Sequence, residues 1–225
     1  MTGVGKADQR RRDKARADAN AAERRRVALH VFHGCDGVIE RELAALAAAG
    51  TTPTCAAGCS HCCSLDVPMS RPEGEALVAW LRDNRSADDI AAIRDRLRGW
   101  LAWYRTDYPR LVASGVSRPQ AFFRHAPKCA LNVDGLCSAY PARPIACRTH
   151  YVTSPVTECD PATGNGEPDT LDNVSRATAA HVVELRHVVE QQGGDYLASV
   201  HLIAEWLAHM LDVEREPWRG APPAV

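Results

Sequence analysis

No apolar run in the 225-residue sequence approaches the roughly 18 residues of a membrane-spanning helix, so no membrane span is expected. The first residues, Met1 to Asp18, are highly charged and lack the apolar stretch that secretory signals carry. A mitochondrial presequence would be poor in acids, and Asp8, Asp13, Asp18 and Glu23 argue against one. Enzyme signatures are equally scarce. There is no HExxH, no phosphate-binding glycine loop, no recognisable Ser-His-Asp grouping and no internal repeat. Strong net charge is missing too, since the formal net charge of −1 by itself argues neither for nor against an anionic partner. These absences leave a chain expected to be cytoplasmic, in a compartment where thiols stay reduced.

Hydrophobic residues make up 45% of the chain and charged residues 24%, proportions of ordinary globular material rather than of a disordered or fibrous chain. Charge is unevenly placed. Residues 1–26 hold nine Lys/Arg and four Asp/Glu, a net of +5 that leaves the remainder near −6. Residues 6–31 are rich in Ala and Arg and favour helix, but few apolar side chains precede Val27. Residues 1–26 are therefore read as a charged, solvated arm, and its interspersed acids make nucleic-acid binding the weaker reading. A second helical stretch is expected from Val38 to Ala49, stopping at Gly50.

Ser70-Arg-Pro-Glu73 has capping-box spacing and should open a helix through Leu77, Trp80 and Leu81. Ser86 should cap another, in which Ile90, Ile93, Leu97, Trp100, Leu101 and Tyr104 mark a buried stripe and Pro109 marks the end. Residues 115–168 read as irregular structure with one hairpin at Leu131–Leu136, turned by Asp134-Gly135. Residues 171–191 and 195–212 are expected to pack as a helical hairpin, followed by a loose tail over 213–225. The fold class expected is mainly α: a helical bundle over 27–212 with an irregular cysteine-rich segment and at most a short β-hairpin.

Cysteine is what the sequence has in excess. Cys55, Cys59, Cys62 and Cys63 fall within nine residues, and Cys129, Cys137, Cys147 and Cys159 follow at looser spacing in the Pro/Gly-rich stretch. In a reducing compartment such a density points to metal or redox chemistry rather than structural disulfides. Thiolates two or three residues apart converge on one soft cation while the backbone turns around it. Were the first segment helical, Cys55, Cys59 and Cys62 would share a face and Cys63 would point away, a hint of two centres. Four plus four thiols suffice for two centres of four cysteines each, or for one cluster and one zinc. Zinc, iron and a 4Fe–4S cluster all accept thiolate, so ligand type does not choose among them. His61 and His150 are alternative ligands. Arg143 and Arg148 flank Cys147 and could donate N–H groups to sulfur or be ordinary surface arginines. Cys35 lies outside both groups and reads as a small buried side chain.

The stretch Cys55–Cys63, then Lys128-Cys129-Ala-Leu, then Cys137-Ser-Ala-Tyr140-Pro-Ala-Arg143-Pro144-Ile-Ala-Cys147-Arg148, then Cys159-Asp160, resembles the YkgJ-like cysteine-cluster family over about residues 51–165. Its C-x-x-Y-x-x-R-P-x-x-C-R element matches at every defined position, whereas Cys55-x3-Cys59 departs from a usual spacing of two. The resemblance implies zinc or iron chelation by these eight cysteines. A relative, the flagellin lysine methylase, is similar in its cysteine segment and implies a second reading, a cluster-dependent enzyme with protein methyltransferase-like activity. This chain shows no separate domain for the methyl donor. Cys55-x3-Cys59-x2-Cys62 also matches the radical S-adenosylmethionine motif, but the alternating strands and helices of that architecture are missing. Thiol redox chemistry is a third reading, from Cys59-Ser-His-Cys62, without the βαβ pattern that usually surrounds it.

Overall fold

A computed structural model describes residues 5–214 of the chain. Among these described residues the fold is mainly α, with nine α-helices and two short two-stranded antiparallel sheets. Among the described residues no helix is long and apolar enough to cross a membrane.

The Ala- and Arg-rich N-terminal region forms helix α1 (Lys6–Ala48), which is continuous where two separate helical stretches were expected. Gly34 and Gly37 each weaken a helix by about 1 kcal/mol. They are overruled by packing, because α1 lies along α2 (Arg71–Asn84) and α8 (Ala179–Gln191) and buries Val31, Phe32, Cys35 and Ile39. Gly34 sits where the His181 ring crosses; a Cβ there would lie 2.5 Å from its Cε1. Residues 5–19 are exposed on every side. Arg24, within the charged region, is buried instead. Its guanidinium grips Glu75 at 2.8 and 2.6 Å and Gln192 at 2.5 Å.

Local capping organises the next two helices. At the start of α2 the Glu73 carboxylate accepts the Ser70 N–H at 2.8 Å. Helix α3 (Ala87–Ala113) opens with a reciprocal pair: Ser86 Oγ accepts from Asp89 N–H at 3.1 Å, and the Asp89 carboxylate accepts from Ser86 N–H at 3.1 Å. The expected stripe of α3 is buried from Ile93 on, with Ile90 only partly so, and its aromatics stack along the helix, Trp100 on Tyr104 at 4.9 Å and Tyr104 on Tyr108 at 5.1 Å. Pro109 does not end this helix. Tyr108 and Leu111, on either side of it, both pack on the main core, which holds the last turn in place despite the missing N–H. Phe122 from helix α4 (Arg118–His125) closes the aromatic cluster edge-on to Trp103 at 5.4 Å. Helix α4 falls in a stretch expected to be irregular, although Ser117-Arg-Pro119 carries the N-cap and early-proline signals that could have found it.

The expected C-terminal helical hairpin does not form. Residues 172–191 divide into α7 (Asp172–Ala177) and α8, and α8 lies against α1. The following segment makes strand β4 (Val200–Leu202) and then the short helix α9 (Ile203–Met210), which packs on α2 and α3. Strand β4 pairs antiparallel with β1 (Pro68–Ser70), Met69 opposite His201. Val183 and Leu197, apolar residues of the two segments expected to pair, are 62% and 79% exposed. Among the described residues there are thus two apolar cores, one among α2, α3, α4 and α9, the other among α1, α7 and α8 with the short helix α5 (Ile145–Thr149). Residues 215–225, most of the expected tail, lie outside the described residues. Val213 and Glu214 still donate their N–H groups to Ala208 O, at 2.8 and 3.0 Å.

Candidate functional site

All nine cysteines are free thiols. Residues 55–60 are not helical and only His61–Ser64 forms a 3-10 turn, so Cys55, Cys59 and Cys62 do not share a helix face. Tertiary contacts join the first cysteine segment to the second. The Cys63 carbonyl accepts the Cys129 N–H at 2.7 Å. Thr54 donates its N–H to Val152 O at 2.9 Å and its hydroxyl to Ser154 O at 2.7 Å. Between these anchors the expected hairpin, β2 (Asn132–Val133) and β3 (Leu136–Cys137), turns through Asp134 and Gly135 with φ of 50° and 85°. That pair of positive φ angles belongs to a type I′ turn. Gly135 rests against the first cysteine loop, where a Cβ would lie 3.1 Å from Gly58 O.

The eight thiols fall into two adjoining groups. Cys63, Cys129, Cys137 and Cys147 interact electrostatically with one another in the interior. Three of these sulfurs also receive N–H donors: Cys129 from the Leu131 backbone, Cys137 from the Ala139 backbone, and Cys63 from Asn132 Nδ2 at 3.5 Å. Both backbone donors come from the residue two places on, the local turn by which a chain supports a thiolate. Cys159 interacts with Cys59 and Cys55 in the second group. Those three line a cavity of about 40 Å³ together with Cys62, His61 and His150. Cys62 lies between the groups, exposed to solvent and hydrogen bonded to Cys63.

Burial governs the acidity of four of these thiols. It pushes Cys129 up to about 12 and raises Cys137, Cys147 and Cys159 as well. Cys63 shifts the other way, held down first by the hydrogen bond from Cys62 and then by Asn132 and the Lys128 charge. Its neighbour Cys62, the donor, is raised. Desolvation lowers His150 and favours its neutral, ligating form.

Arg148 does not donate to sulfur. Its guanidinium is 1% exposed and fully engaged elsewhere: Nε on Arg143 O at 2.8 Å, Nη2 on Pro141 O at 2.5 Å, and Nη1 on Asp36 at 2.6 and 2.7 Å. The Phe32 ring lies 4.5 Å beneath it. Arg148 therefore ties the loop before Cys147 to α1. Arg143 stacks on Tyr140 at 3.6 Å and acts on Cys137 and Cys147 through its charge. Two further residues support the site in ways that the sequence reading did not assign. Buried Glu73, read only as a cap, also accepts the Ile145 N–H at 2.9 Å and so anchors the helix that carries Cys147. Asn132 sits beside the hairpin turn with nothing in the sequence to mark it. Cys35 is fully buried away from both groups, its thiol pushed up to about 11 by burial.

Two sets of thiols, one of them with N–H donors, are a donor set that suits a soft metal ion. As the side chains stand, no group of three or more His, Cys, Asp or Glu among the described residues is arranged to hold one. The reactive atoms are gathered and the coordination shell is not preformed. No family model, curated protein or solved structure matches the chain.

Proposed function

We propose that this protein binds zinc or iron, a 4Fe–4S cluster included, through thiolates of Cys55, Cys59, Cys62, Cys63, Cys129, Cys137, Cys147 and Cys159. One observation carries the reading: Cys63 is pinned to Cys129 by a backbone hydrogen bond, and N–H donors aim at three sulfurs of the interior group. Four half-buried thiols side by side are costly to ionise unless a cation compensates them. Cys63, Cys129, Cys137 and Cys147 would hold an interior ion. Cys55, Cys59 and Cys159, with Cys62 or a histidine, would hold an outer one. A bound ion would cross-link segments more than sixty residues apart and add its binding free energy to folding. The resemblance to the YkgJ-like family supports the same reading, as do nine unbridged thiols, which fit the reducing cytoplasm. The cavity beside the outer thiols has room for an ion with a few waters, each needing about 10–15 Å³.

Anaerobic purification followed by metal analysis tests the proposal. Stoichiometric metal in the wild type, reduced together with thermal stability by Cys63→Ser or Cys147→Ser, is expected. Full metal content in both variants would remove those residues as ligands, and a wild-type chain that takes up neither zinc nor iron would end the reading. Absorption near 400 nm, on the order expected of iron–sulfur chromophores, would select a cluster over zinc.

A further inference from the structure

The two thiol groups differ in what surrounds them. The interior group is half-buried beside the hairpin and the Cys63–Cys129 backbone bond, lines no part of the cavity, and has a donor on each of three sulfurs. At the outer group, Cys55, Cys59, Cys62, Cys159, His61 and His150 all face one cavity of about 40 Å³, and Cys62 is exposed to solvent. Tetrahedral zinc uses four ligands. Six potential donors around one cavity exceed that number, and the space admits an additional small ligand. A site with surplus donors and a solvent-exposed thiol can exchange its ion by associative substitution. A new metal–sulfur or metal–nitrogen bond forms as an old one breaks, the released thiolate takes a proton from water, and no oxidation state changes.

We infer that the outer group is an exchange site for a soft divalent metal ion, passing it to a thiol- or imidazole-bearing acceptor, while the interior group retains its ion for stability. The inference rests on the metal-binding reading above. His61 and His150 act in it as transient donors that catch the ion as a cysteine lets go. The neighbouring centre stays intact because none of its four cysteines lines that cavity.

The full-length chain, reduced and metal-free, is loaded with Zn(II) and then challenged with a chromophoric chelator under anaerobic conditions. Two ions per chain should leave in two phases separated by roughly tenfold or more in rate, the scale on which outer-shell support changes metal affinity. Cys55→Ser, Cys59→Ser and Cys159→Ser combined, which leave three donors at the cavity, should abolish the fast phase and spare the slow ion and the thermal midpoint. Cys129→Ser should abolish the slow phase and lower the midpoint. His61→Ala with His150→Ala should keep both ions but slow the fast phase several-fold. Release at a single rate, loss of the slow ion in the triple cysteine variant, or a fast phase unchanged or accelerated in the double histidine variant would each overturn the exchange site while leaving metal binding intact. A wild-type chain that takes up no zinc would overturn the exchange site; if it takes up no iron either, the metal-binding reading falls with it.

Discussion

Replacing Arg148 with Met tests how much of the cysteine region's shape is set by the protein alone. Methionine keeps most of the aliphatic volume and removes every donor. The 1% exposed guanidinium donates to two main-chain carbonyls, Arg143 O and Pro141 O, which would lose their partner in a site that water reaches poorly. At about 1–2 kcal/mol for each stranded acceptor, that amounts to roughly 2–4 kcal/mol. The ion pair with Asp36 adds little, because its carboxylate is 51% exposed and can rehydrate; a screened pair is worth at most about 1 kcal/mol. For a chain of this size a loss near 3 kcal/mol lowers the thermal midpoint by roughly 6–12 °C. Arg148→Lys should rescue little, since one ammonium cannot reproduce a fork that reaches two carbonyls and a carboxylate at once. Asp36→Asn should cost no more than about 1 kcal/mol. The assay is urea denaturation of the metal-free protein, so that no ligand contributes. If Arg148→Met unfolds within about 0.5 kcal/mol of wild type, the spread of ordinary surface substitutions, Arg148 does not clamp the loop to α1.

Other outcomes follow from the same structure. Cys35→Ala should lower stability by about 1 kcal/mol through lost packing and leave metal stoichiometry unchanged; loss of an ion would mean the ninth cysteine had been misassigned. Gly34→Ala should destabilise by about 1–3 kcal/mol because the new methyl meets the His181 ring, and His181→Ala in the same chain should recover most of it. Metal uptake should strengthen as pH rises from about 6 to about 8, because thiols raised by burial keep their protons in the metal-free protein and must release them on binding. Calorimetry in buffers of different ionisation enthalpy counts those protons, and an uptake independent of pH would refute the point.

What could be read ahead of the structure was whatever a few neighbouring residues decide by themselves. The Ser70–Glu73 and Ser86–Asp89 caps, the α3 stripe and the Asp134-Gly135 turn are contacts within four residues, and all are present. The failures share a different cause. Continuity through Gly34 and Gly37, persistence of α3 past Pro109, and diversion of residues 200–202 into a strand each depend on a partner far along the chain. A three-residue strand has no period to detect, and β4 exists because Met69 and its neighbours offer free backbone groups opposite it.

The cysteine site divides along the same line. Residue type and number were plain in the sequence, and adjacency of Cys62 and Cys63 already suggested two destinations, because consecutive side chains diverge. The partition was not legible, since it depends on a 3-10 turn at His61–Ser64 and on the Cys63–Cys129 bond rather than on spacing. Nor were the residues that shape it. Glu73 caps α2 with one carboxylate oxygen and anchors Ile145 with the other, seventy-two residues away. Arg148 sits within the cysteine motif and yet spends its donors on α1 and two carbonyls. A motif of this kind therefore mixes two jobs that sequence spacing cannot separate. Its cysteines supply sulfur, while its arginine and the distant glutamate fix the backbone from which the sulfurs project. Substituting the second kind should leave the donor count intact and weaken binding through geometry, by roughly 10–100-fold for a lost supporting contact.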